Sequence, residues 1–75
     1  MPKLPHLSGK QVAKALTKIG FRPTRQHGSH LILVKQTDSG RKGLVVLMHR
    51  EIDLGTLLEI IRQAGLKRDE FLKLL

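Results

Sequence analysis

Four histidines, His6, His27, His30 and His49, are the side chains of this sequence best suited to move protons at neutral pH. His27 and His30 flank a Gly28-Ser29 pair, and His49 follows an apolar run. No cysteine is present, which excludes thiolate catalysis, disulfides and cysteine-based zinc sites. The carboxylates Asp38, Glu51, Asp53, Glu59, Asp69 and Glu70 are scattered along turn-like and helix-like segments. That pattern supplies neither the paired acids of a glycosidase nor the converging acids of a two-metal nuclease. The histidine spacing matches no zinc motif and a helical H-E-x-x-H is missing, so no metal and no other cofactor is expected. A nucleophilic Ser29–His30 pair is disfavoured, because adjacent strand residues point to opposite faces.

RNA cleavage makes smaller demands. RNA carries its own nucleophile, the 2′-hydroxyl beside the scissile phosphate. The protein must hold the strand, accept one proton, supply another and stabilise a crowded phosphate. Imidazole serves either proton-transfer role, and one positioned acid or base contributes about 10²–10⁴-fold. Arg or Lys beside the phosphate adds electrostatic stabilisation. A histidine such as His30 among Arg22, Arg25, Lys35, Arg41, Lys42 and Arg50 meets those demands. Most histidines are plain surface or phosphate-binding groups, so composition by itself leaves the catalytic role open.

The charge balance points the same way. Among 75 residues, 14 Lys and Arg face 6 Asp and Glu, for a formal net charge of +8. Such an excess argues for an anionic partner, nucleic acid foremost. Phe21 and Phe71 are the only aromatic residues, too few for a sheet that stacks bases. Binding through phosphates, 2′-hydroxyls and shape is expected instead. The apolar runs Leu31–Val34 and Leu44–Met48 fall far short of the roughly 20 residues of a spanning helix. Pro2, Pro5 and polar residues stand where a signal peptide needs an apolar stretch. A cytoplasmic protein with no membrane partner is expected, built as one domain over residues 1–75.

The elements that must position these groups follow from periodicity and turn chemistry. Met1–Leu7 reads as a lead-in, and Ser8 with Gln11 has the spacing of a capping box. Val12, Leu16 and Ile19 then form a helical stripe, with Lys10, Lys14 and Lys18 on a solvated face and Gly20 as the stop. Phe21–Gln26 reads as an edge strand, since Pro23 cannot donate to a ladder. His27-Gly28-Ser29 is a tight connection, His30–Gln36 a second strand, Thr37–Gly40 a turn and Lys42–Met48 a third strand. Asp53 or Thr56 can cap a second helix, Thr56 and Glu59 having capping-box spacing. Its stripe is Leu57, Ile61 and Ala64, and Gly65 ends it before a short helix over about Arg68–Lys73. The order α-β-β-β-α is an α+β domain, with a three-stranded antiparallel meander and helices on one sheet face. Consecutive apolar residues in the second and third strands leave the other face partly apolar, which suits a partner protein or a second copy in a homodimer.

Several of these segments together resemble the HicA-type (YcfA-like) toxins. The resemblance is carried by Ser8-Gly9-Lys10, Gly20-Phe21 and Arg25-Gln26-His27-Gly28-Ser29-His30. It continues through His49, Gly55-Thr56-Leu57, Arg62-Gln63-Ala64-Gly65-Leu66 and Glu70-Phe71. It covers nearly the whole chain. It implies a double-stranded-RNA-binding-domain-like fold and an mRNA interferase, the toxin of a type II toxin–antitoxin pair. The histidine of Gly-Ser-His, here His30, is the family's catalytic residue, with Gly28 and Ser29 shaping the active-site loop. The implied partners are mRNA and a HicB-type antitoxin that covers the active face. Members often carry Pro-x-His at the second motif histidine, where this chain has Leu47, so His49 is left between phosphate binding and capping the strand end. A non-catalytic RNA-binding module of the same fold explains the charge equally well, but gives no reason for Gly-Ser-His.

Overall fold

The computed structural model describes residues 4–75; the first three residues of the expected lead-in, Pro2 among them, lie outside the described residues. The elements run α1 (Gly9–Thr17), β1 (Arg22–His27), β2 (His30–Thr37), β3 (Gly40–Leu47), α2 (Leu54–Gln63) and α3 (Arg68–Leu72). The strands form an antiparallel sheet in the order β1-β2-β3, so β1 is an edge strand as Pro23 requires. This is the α+β, double-stranded-RNA-binding-domain-like arrangement expected from the sequence.

Local chemistry sets the helix ends. The Ser8 hydroxyl accepts the Gln11 amide at 3.1 Å and the Gln11 side chain accepts the Ser8 amide at 2.9 Å, the reciprocal box read from the spacing. For α2 the cap is Asp53: its carboxylate accepts the Thr56 amide at 3.0 Å and the Thr56 hydroxyl at 2.7 Å. Thr56 therefore lies inside the helix, and the alternative Thr56–Glu59 box does not form. An aspartate wins because its two oxygens take both Thr56 donors at once and its negative charge suits the helix N-terminus.

The core lies between the helices and one sheet face. Val12 and Leu16 of α1, Leu57, Ile60 and Ile61 of α2 and Phe71 of α3 pack with Phe21, Leu33, Leu44 and Val46. Phe21, Phe71, Leu33 and Val46 are fully buried, and among the described residues no polar or charged side chain is buried with them. Two backbone bonds tie the N-terminal segment to the chain leaving β3: Gly9 donates to the His49 carbonyl at 2.9 Å and Ile52 to the Leu7 carbonyl at 2.8 Å.

Candidate active site

The pairing of β1 with β2 decides which side chains share a face. His27 is opposite His30, Gln26 opposite Leu31 and Arg25 opposite Ile32. The register then slips: Pro23 faces Leu33 and Arg22 faces Val34, leaving Thr24 as an extra residue in a bulge. Pro23 brings no N–H to the ladder here, and the Thr24 hydroxyl donates to the Ile32 carbonyl at 3.3 Å. Directly opposed residues point to the same face. One face thus carries Arg22, Arg25, His27, His30, Ile32 and Val34. Without the bulge, Arg22 would have fallen opposite Lys35 and pointed toward the helices.

The β2–β3 ladder completes that face. His30 is opposite Leu47, Ile32 opposite Val45, Val34 opposite Gly43 and Gln36 opposite Arg41. The helices pack on the other side of the sheet, so this face is open: Val45 stays 44% exposed. No carboxylate occurs among the strand positions of the open face. Beyond β3 it is bordered by a groove between Ile32, Gly43 and Val45 and the α2 residues Thr56, Glu59 and Gln63.

His30 sits at the start of β2, exposed, immediately after a two-residue turn. Gly28 has φ 58° and Ser29 a negative φ, the φ signs of a type II′ hairpin turn, whose first central position favours glycine. A Cβ at Gly28 would meet nothing within 4 Å, so the glycine answers to backbone conformation rather than to crowding. The Gln26 side-chain amide donates to the Gly28 carbonyl at 3.0 Å, and Met48 donates to the Ser29 carbonyl at 2.6 Å. The turn is held from both flanks.

The expected site residues therefore separate. Arg22 and Arg25 share the His30 face. Arg41 shares it too, but at the far end of the sheet, six residues and about 20 Å along the strand at roughly 3.3 Å per residue. His49 and Arg50 are exposed just past β3, at the His30 end. Lys35 and Lys42 are corrections to the expected cationic face. They are opposite each other on the helix side, where Lys35 Nζ lies 5.7 Å from the centre of the buried Phe21 ring and Lys42 Nζ reaches Gly65. Strand alternation places them there, because Lys35 follows Leu31 and Leu33 at a period of two. His6 is drawn away from the sheet, its Nδ1 3.0 Å from the Glu51 carboxylate.

His27 was not among the expected site residues, although its signal was in the sequence. A two-residue Gly-Ser loop makes the residues on either side direct cross-strand partners. Among the described residues no three of His, Asp and Glu converge as a metal site, and no helix is long and apolar enough to cross a membrane.

No curated protein matches this chain. A family model described as the HicA toxin of bacterial toxin-antitoxin matches residues 9–66, from the first residue of α1 to just past the end of α2. With that match spanning the helix–sheet–helix unit that presents Gly28-Ser29-His30, the chain belongs to the HicA toxin family and is a toxin of a toxin–antitoxin system.

Proposed function

We propose that this toxin is a metal-independent endoribonuclease that cleaves mRNA in the cytoplasm, with His30 as a general acid or base. The observation that carries the reading is the placement of His30: exposed at a glycine-set turn, on a sheet face with Arg22 and Arg25 and with no carboxylate in its strands. On such a face the arginines hold the phosphate and stabilise the charge that develops on it. The imidazole transfers a proton at the 2′-hydroxyl or at the leaving oxygen. His49 and Arg50, at the same end, extend the phosphate contacts. Gly28 and Ser29 set where the imidazole stands.

A HicB-type antitoxin is the proposed partner. The open face combines arginines with the aliphatic positions Ile32, Val34, Val45 and Leu47. A protein that covers it buries apolar area and pairs acids with the arginines, and it blocks His30 in doing so.

The test is side-by-side induction of wild type and His30→Ala, followed by cleavage assays of the purified proteins with RNA in EDTA. His30→Ala is expected to fold, to spare growth and to leave RNA intact. Cleavage by His30→Ala at the wild-type rate overturns the site assignment. RNA binding without cleavage by the wild type favours a non-catalytic binding module.

A further inference from the structure

We infer that His27 is a second catalytic residue, forming with His30 an acid–base pair for cleaving the RNA strand. The inference rests on the ribonuclease reading above and adds to it the group that handles the second proton.

The pairing register is the starting point. His27 and His30 are direct partners across the Gly28-Ser29 turn. Opposed residues of an antiparallel pair hold their Cβ atoms about 4.5–5.5 Å apart on one face. Two imidazoles so placed can stand on either side of one phosphate. Both are exposed, and neither side chain is held in a hydrogen bond or ion pair among the described residues, in contrast to His6 beside Glu51. His49 has no such placement: the strand partner of His30 on β3 is Leu47, and the chain beyond it is fastened to α1 through the His49 carbonyl.

The chemistry requires two proton transfers. The 2′-oxygen attacks the adjacent phosphorus and passes its proton to a neutral imidazole. The phosphorus–5′-oxygen bond breaks, and the departing oxygen takes a proton from the partner imidazolium. The products are a 2′,3′-cyclic phosphate and a 5′-hydroxyl, and the two rings end with their protonation states exchanged. Solvent resets them. The charged and titratable groups nearest the pair are Arg25 and Arg22 along β1, and His49 and Arg50 just past β3 at the same end. β3 contributes Leu47, Val45 and Gly43, then Arg41 at the far end. On α2, Asp53 caps the helix and Glu59 is engaged by Arg62 and Gln63. One ring must be neutral while the other is charged, so the rate passes through a maximum with pH.

The experiment follows kcat and KM for a synthetic single-stranded RNA between about pH 5 and 8, the range in which histidine changes charge. Wild type, His27→Gln and His27→Lys are compared in EDTA. The wild type is expected to give a bell-shaped profile and a 2′,3′-cyclic phosphate end. His27→Gln is expected to lower kcat by about 10²–10⁴-fold with little change in KM, and to lose one limb of the bell. His27→Lys restores a positive charge but no proton transfer in this range, and is expected to stay slow. A bell retained in His27→Gln, or wild-type kcat in His27→Lys, overturns the pair while leaving His30 in place. A wild-type protein that cleaves no RNA overturns the ribonuclease reading itself. His27 is exposed at a hairpin end, and matching melting temperatures separate lost chemistry from lost fold.

Discussion

The Gly9 amide donates to the His49 carbonyl oxygen at 2.9 Å, so the first turn of α1 is fastened to the chain that leaves β3 beside the His30 turn. The approach is close enough that no side chain fits. A Cβ at Gly9 would collide with the Leu47 carbonyl oxygen and come within 2.7 Å of Met48 Cα. Those atoms are backbone and cannot swing aside. Gly9→Ala is expected to cost on the order of 1–3 kcal/mol, the usual range for overpacking a filled site. Urea melts measure the loss. Leu47 pairs with His30 and Met48 with Ser29, so cleavage is expected to fall further than the unfolded fraction explains.

Gly28→Ala tests the turn in a different way. The position is spacious, and only its φ of 58° resists a side chain. Strain of about 1–3 kcal/mol is expected. The variant should fold around an unchanged core, which amide exchange in β3 and α1 reports. Its cleavage rate should drop because the turn relaxes and His30 changes its stance.

The separation of cations between the two faces predicts a contrast in salt dependence. Single-strand binding loses affinity with a slope of about −0.7 in log K per phosphate neutralised. Arg25→Ala, on the His30 face, should flatten that slope by about one such increment. Lys42→Ala, on the helix side, should leave it as it was. Fluorescence titrations of a labelled RNA across a salt series decide the matter, and equal effects would place the RNA elsewhere.

Acid should loosen α2 first. The Thr56 hydroxyl and amide hold the Asp53 carboxyl below its ordinary value of 3.8. The Arg62 guanidinium, then Gln63, lowers Glu59 from 4.5 to about 2. A carboxyl depressed in the folded state stabilises above its unfolded value and loses that contribution as pH falls through its folded value. Melting temperature should therefore decline from about pH 4.5 toward pH 2, modestly, since both groups are exposed and screened by salt. Asp53→Asn keeps a capping oxygen but cannot titrate, and its decline should be shallower. Melts followed by circular dichroism across that range provide the check.

Much of the architecture is legible in the sequence. Ser8 with Gln11 announced the start of α1, Gly20 and Gly65 the ends of helices, and Pro23 the edge strand, because each acts through backbone chemistry within a few residues. Local spacing leaves Asp53 and Thr56 both open as the cap of α2, and the structure takes Asp53, whose carboxylate accepts both Thr56 donors. Charge alone groups Lys35 and Lys42 with the cations around His30, although alternation from Leu33 already turns Lys35 inward.

Residue types and local spacing by themselves determined the cationic character, the helix caps, the meander and the glycine-set turn before His30, since all are governed by near neighbours or by composition. Which side chains share a surface was settled only when strands paired. A single unpaired residue, Thr24, moves Arg22 from the helix side to the His30 side, and nothing in the order of residues announces a bulge. Pairing register is a long-range choice, made by burying Phe21 and Leu33 together, and every contact across the sheet inherits it.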